Sequence, residues 1–274
     1  MIQYKDNDIT IFQSAIYQTN SVVVETDELV LVIDPTWLPN EVNEIQNYVY
    51  NNKKGKNVYL LFTHSDFDHI LGYGAFSYAK VIASEKLKDC PDKQSIINSI
   101  QDFDDSYYIT REYEIKFPNV DISISKEYEE LELGSMKLHF YQAPGHTEDG
   151  IITVLEPFGI VIAGDYLSNV EFPYIYHNSD DYLSTLKKFE SIIEKYDIRL
   201  LIPGHGEFTK DKLEMKRRIS ESVNYILQVK QLLLEDKQEE TYDLIKKYGF
   251  PKTMKKFHDY NLTLLKKEQE VSNA

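Results

Sequence analysis

The chain has 274 residues, 42% of them hydrophobic, with 45 acidic against 30 basic side chains and a formal net charge of −15. That length can bury a sizeable core, and that charge disfavours an extended nucleic-acid surface or a membrane-binding face while leaving small substrates open. The single cysteine, Cys90, excludes an intramolecular disulfide and a cysteine-based zinc cluster, so any metal must be held by His, Asp and Glu. The N-terminus "MIQYKDNDITIF" has no basic segment leading into an apolar run, and no later stretch approaches the ~18 apolar residues of a membrane helix. A cytoplasmic protein is expected.

Residues 1–60 alternate apolar and polar positions in short runs, "ITIFQSAIY", "NSVVVET" and "LVLVIDP", which read as strands of a meander. Pro39 suits the first turn of a helix, and Val42, Ile45 and Val49 after it recur at helical spacing before the strand "NVYLLF". A helix from Gly72 to Ala79, the strand "KVIAS" and an irregular, acidic, Tyr-rich region from Glu85 to Pro118 follow. Three more strands, Lys137 to Ala143, Gly150 to Glu156 and Gly159 to Asp165, are punctuated by Gly and Pro. A helix from Asp181 to Tyr196 sets Leu183, Leu186, Phe189, Ile192 and Ile193 on one stripe, and "RLLIPGHGE" gives a last strand and turn. From Lys210 onward the pattern is helical, with one break near Gly249-Phe250-Pro251. Two groups of strands, each followed by helices, predict an α/β fold: an αββα sandwich of two packed mixed sheets flanked by helices. We read residues 1–274 as one domain with a helical C-terminal extension at about 210–274.

The stretch "LLFTHSDFDHI" runs from an apolar strand straight into His64, Asp66, Asp68 and His69. His146 sits in "APGHTEDG", Asp165 ends "GIVIAGD", and His205 sits in "IPGHGE", each just beyond a strand. Side chains past the carboxyl ends of strands gather along one edge of a sheet, so these turns can converge on one site. Imidazole nitrogen and carboxylate oxygen are the donors that borderline and hard divalent cations take. Gly145, Gly164 and Gly204 beside these residues let the backbone turn tightly.

In motif order, roughly residues 8–210 resemble the metallo-β-lactamase superfamily of metal-dependent hydrolases. His64, Asp68 and His69 match that family's His-x-His-x-Asp-His motif, and His146 in "PGHT", Asp165 in "GD" and His205 in "PGHG" match the three that follow. Asp34 in "VIDP" matches an early aspartate that is usually structural. The sequence departs at Asp66, where the family usually has its second histidine. Carried over residue by residue, the resemblance implies His64, Asp66 and His146 for one ion, Asp68, His69 and His205 for a second, and Asp165 bridging. The alternative, in which Asp66 turns away and the first position is weak or empty, stays open. The iron-binding flavodiiron branch carries a glutamate at this position. Adding the Asp66 charge takes a dinuclear hydroxide-bridged site from about +1 to about zero, which favours iron or manganese relative to zinc.

The resemblance implies a hydrolase with two divalent ions, zinc first and iron or manganese as alternatives. A metal-held hydroxide would attack a small-molecule ester, thioester, lactone or phosphoester, with Asp68 and Asp165 orienting the water and passing its proton. Two other readings are an iron-dependent redox enzyme acting on oxygen or thiols and a degenerate, non-catalytic binding protein. A small-molecule substrate is expected, with no nucleic acid and no membrane, and a homodimer is allowed. Thr63 and Thr147 stand beside ligands as supporting partners. His139 reads as a packed or surface residue, His258 as a surface residue, and His177 as part of a loop that could approach the site. Tyr166, Phe172, Tyr174 and Tyr176, like Tyr107, Tyr108 and Tyr113, could wall a pocket or simply pack loops, and Cys90 has no motif partner.

Overall fold

The computed structural model describes residues 1–272. In chain order, strands β1 (Ile2–Lys5), β2 (Ile9–Gln13), β3 (Asn20–Glu25) and β4 (Leu29–Ile33) form an antiparallel meander. Helix α1 (Pro39–Lys53) then crosses over to β5 (Asn57–Leu61), parallel to β4. A short helix α2 (Phe67–Ile70) and a 3-10 turn at Tyr73–Phe76 lead to β6 (Lys80–Ser84). Helices α3 (Glu85–Lys88) and α4 (Lys93–Tyr107) precede β7 (Ile122–Ile124), which closes a seven-stranded sheet in sequential order. The second sheet has five strands: β8 (Tyr128–Leu133), β9 (Met136–Gln142), β10 (Ile151–Glu156), β11 (Ile160–Ile162) and β12 (Leu200–Ile202). Helix α5 (Ser179–Lys195) joins β11 to its parallel neighbour β12. Helix α6 (Lys212–Leu234), a 3-10 turn at Gln238–Ile245 and helix α7 (Pro251–Ser272) follow.

Strand residues are apolar at consecutive positions because each sheet is buried on both faces. On β4, Leu31 and Ile33 point into the layer between the sheets, where they meet Leu138, Phe140 and Ile162 of the second sheet. Val30 and Val32 point the other way, under α1 and α4, against Val42, Ile45 and Ile100. The outer face of the second sheet, through Ile152 and Val154, packs on Leu186, Phe189 and Ile226 of α5 and α6. Helix, sheet, sheet and helix therefore stack as expected. No helix among the described residues is long and apolar enough to cross a membrane.

Several expectations need correction. The region read as irregular contains α4, whose Ile97 and Ile100 are buried at helical spacing. Its next inward position is Asp104, an acid that interrupts the apolar stripe and is held bidentately by Arg111 at 2.8 Å on both arms. The predicted helix from Gly72 to Ala79 is a 3-10 turn of four residues. Strands β1 and β8 are sheet edges, and β8 carries exposed Glu130 and Glu132 that discourage further pairing.

His258 is not a surface residue: it is fully buried, sharing a face of α7 with Met254, Leu262 and Leu265. Its Nδ1 lies 2.8 Å from Tyr225 Oη and its Nε2 lies 2.9 Å from Thr241 Oγ1. Burial pushes its imidazole down to about 4, with Lys255 adding to the effect and Asp259 opposing it. The unfolded chain therefore takes up a proton between about pH 6.5 and 4 that the folded chain refuses, so this residue erodes stability as pH falls through that window. His258→Gln should flatten the loss between pH 6.5 and 4.5 relative to the parent, as read by urea unfolding of metal-free protein; parallel curves would contradict it.

Candidate metal centre

The carboxyl ends of β4, β5, β11 and β12, together with the turn between β9 and β10, meet at one edge of the sandwich. They carry Asp34, the segment His64–His69, Asp165, His205 and His146 respectively. Backbone bonds clamp the sheets together here: Asn20 N–H donates to Gly204 O at 2.7 Å and Ile151 N–H donates to Thr63 O at 2.9 Å. All seven residues expected from the sequence are brought together. His64, Asp66, His146 and Asp165 form one group, and Asp68, His69 and His205 form another, with the ligand atoms of each within 4.8 Å of one another.

Asp165 is the centre of this arrangement. Its Oδ1 lies 3.0 Å from His69 Nε2, and its Oδ2 lies 3.2 Å from both His146 Nε2 and His205 Nε2 and 3.7 Å from His64 Nε2. Asp66 Oδ2 is 3.2 Å from His146 Nε2 and 4.0 Å from His64 Nε2, so Asp66 turns toward the group rather than away. Asp68 Oδ2 lies 3.5 Å from His205 Nε2 and 3.8 Å from His69 Nε2.

The other side of each ring fixes its tautomer. His69 Nδ1–H donates to Asp34 Oδ2 at 2.9 Å, His146 Nδ1–H to Tyr174 O at 2.6 Å, and His205 Nδ1–H to Tyr17 O at 3.0 Å. Thr63 Oγ1 donates to Asp34 Oδ2 at 2.6 Å, so it must accept from His64 Nδ1–H at 2.9 Å. With Nδ1–H held outward in all four rings, Nε2 is the atom each ring turns inward, free to offer a lone pair once a proton on it leaves. The Nε2 atoms of His64, His69 and His146 and the Oδ1 of Asp165 are buried without a hydrogen-bond partner among the described residues. Buried donors left open at this density call for a cation. Two ligands about 2.1 Å from a tetrahedral ion sit about 3.4 Å apart, and the separations here run from 3.0 to 4.0 Å. The residues fit divalent metal.

Titration behaviour agrees. Burial alone would push His69 and His146 toward the neutral form, but Asp165, with Asp68 beside the first ring and Asp66 beside the second, lifts both well above the ordinary histidine range. His205 is raised to about 10 by Asp165 and Glu171 against the same burial. Burial raises Asp165, yet the surrounding imidazoles hold it well below the carboxylate range. Protons on the rings thus occupy the electrostatic place of cations, and metal binding would release them.

Asp34 is structural as expected, and its backbone φ of 45°, uncommon outside glycine, aims its carboxylate at Thr63 N–H, Thr63 Oγ1 and His69 together. Thr63 supports its neighbour, whereas Thr147 Oγ1 makes no bond among the described residues. His177 contributes backbone only: its N–H donates to Gly145 O and His146 O, while its ring pairs with Asp181 at 3.3 Å. His139 is buried between Tyr128 and Glu156, far along β9 from the cluster. Phe172, Tyr174 and Tyr176 do wall the pocket over the metal-candidate group, a cavity of about 190 Å³. Sequence reasoning missed Tyr17 and Glu171, which also line it; the fragment "SNVEFPY" carries no signal for Glu171.

A fold of two mixed sheets between helix layers, with a His/Asp cluster at the strand ends, defines a class of proteins equipped to hold divalent metal at one sheet edge. The model of the metallo-β-lactamase superfamily matches residues 15–205, and the chain belongs to that superfamily. It is 22% identical over 211 residues to a metallo-β-lactamase type 2 from Bacillus cereus, covering 72% of this chain and 70% of that protein. It is similar in fold to a metallo-β-lactamase from Pontibacter korlensis, with a TM-score of 0.58 and 15% identity over 80% of this chain and 97% of the other. A sec-alkyl sulfatase variant gives a TM-score of 0.61 and 14% identity over 85% of this chain and 42% of that one.

Proposed function

We propose that the protein is a metal-dependent hydrolase holding two divalent ions and cleaving a small-molecule ester, thioester, lactone or phosphoester. The observation that carries this reading is the set of four imidazoles whose Nδ1–H groups are all engaged by fixed acceptors and whose Nε2 atoms face Asp165. His64, Asp66 and His146 would hold one ion, and Asp68, His69 and His205 the other, with Asp165 between them. Bound divalent ions supply water activation and Lewis acidity. The chain's own share is orientation: Asp165 faces both groups, and Asp68, whose Oδ2 lies 3.5 Å from His205 Nε2, would help orient the water and pass on its proton. Tyr174 and Tyr176 keep bulk water from one side of the pocket. No serine or cysteine nucleophile is required.

Elemental analysis of protein purified without added metal, followed by a panel of generic ester, thioester and phosphodiester substrates, tests this. The expected result is bound divalent metal and a chelator-sensitive hydrolysis that metal restores; no binding at saturating supply overturns it. Asp66 decides metal preference in this reading, because its carboxylate adds negative charge and a hard oxygen donor. Asp66→His should shift competition between zinc and manganese toward zinc by on the order of tenfold. Unchanged preference and stoichiometry would remove Asp66 from the ligand set.

A further inference from the structure

A second cavity, of about 480 Å³, adjoins the metal-candidate pocket, and Tyr17 and Glu171 line both. Its other walls include Ile16, Leu38, Phe103, Ile109, Phe250 and Met254. Its rim leaves Tyr107 66% and Phe250 64% exposed, a clustering of open aromatic surface that the core does not require. Among the described residues lining this groove none is a cation, and the only charged group is Glu171 at the throat. The metal-candidate pocket, by contrast, includes Lys256.

We infer that this groove is the specificity subsite for an uncharged, apolar acyl or aryl arm of the substrate, with Tyr17 and Glu171 at the passage to the reacting carbonyl. The inference rests on the hydrolase reading and deepens it. Water's oxygen adds to the acyl carbon, the bond from that carbon to the leaving oxygen or sulfur breaks, and the leaving atom takes a proton, yielding an acid and an alcohol or thiol. A volume of this size suits the apolar part of a small ligand. A carboxylate carried on such an arm would find no cation to pair with among the described residues of the groove, and near the throat it would meet Glu171, so its desolvation would go uncompensated. Burial raises the Glu171 carboxyl, which marks the passage as poorly solvated.

The fold supplies a reporter that does not depend on catalysis. Trp37 is the chain's one tryptophan, buried with its ring 4.5 Å from Phe103 and 6.1 Å from Tyr17, both of which line the groove. Two measurements on the full chain test the inference. First, Trp37 emission of the metal-free full chain is followed during titration with 1-octanol, 1-butanol and octanoate, so that no bound ion holds the carboxylate. Saturable change with octanol, weaker by at least about tenfold for butanol and octanoate, is expected. Thr253→Arg, on the part-exposed start of α7, places a cation in the groove and should reverse the octanol-over-octanoate preference; Glu171→Gln should narrow it. Second, kcat/KM of the metal-loaded protein for neutral esters should climb by up to about fourfold per added methylene until the groove is filled. Ester hydrolysis with no chain-length dependence and no Trp37 response overturns the subsite and leaves the hydrolase standing. A chain-length-dependent Trp37 response without hydrolysis of any substrate sustains the apolar site and overturns the hydrolase.

Discussion

Asp165→Ala should abolish binding of both ions and, with it, activity, while the fold survives. The reason is geometric: one carboxylate lies within 3.7 Å of all four inward-facing Nε2 atoms and so reaches both halves of the cluster. A unit charge about 4 Å from another is worth about 4 kcal/mol at an effective dielectric near 20. Removing it beside a bound cation therefore weakens affinity on the order of a thousandfold for each ion. That exceeds the roughly 10–100-fold typical of outer partners such as Asp34. Asp165→Asn restores an oxygen donor without the charge and should fall between the alanine variant and the parent. Metal content after dialysis, read beside far-UV circular dichroism, separates lost ligation from lost structure. Retention of two ions by the alanine variant would dissolve the proposed centre.

The residues that could hold metal were readable because the chemistry needs rare side chains at fixed places: His and Asp just past apolar strands, with glycine beside them. The two-layer sheet arrangement was readable from runs such as "LVLVIDP" and "GIVIAGD", where burial on both faces makes every position apolar. What escaped shares one cause, dependence on contacts distant in sequence. Helix α4 was hidden because Asp104 faces inward, which is tolerable only once Arg111 arrives. His258 was hidden because its hydrogen-bond partners come from α6 and the turn after it, although Met254 and Leu262, four residues to either side, signalled a buried face. Tyr17 and Tyr174 hold His205 and His146 through backbone carbonyls, which any residue could provide. No letter in a sequence marks a carbonyl as an acceptor. Asn261 shows the same limit: its side chain ties Pro173 of the pocket wall and the buried Ile175 to α7, flanking the Tyr174 carbonyl that orients His146.

Gly204→Ala is expected to damage the centre without touching any donor. A Cβ at this position would stand 2.1 Å from Asp165 Oδ1 and 3.0 Å from His69 Cε1. The residue lies outside the left-handed region, so alanine meets no backbone penalty of its own there. The conflict falls on the carboxylate, the ring and, at 3.1 Å, the Gly164 backbone carbon; the carboxylate, nearest and most mobile, must swing out of its position between the imidazoles. Metal affinity should drop by roughly 100-fold or more, while overpacking costs about 1–3 kcal/mol of stability. Gly145→Ala makes the contrast: there φ is +133° and the new atom would meet the Tyr182 backbone at 2.4 Å, so the main loss should be in folding rather than in ligation. Urea unfolding of the metal-free proteins, set beside metal titrations, distinguishes the two. Should Gly204→Ala bind both ions as tightly as the parent, the Asp165 carboxylate would have to be free to relocate, and the rigid placement on which the centre depends would not hold.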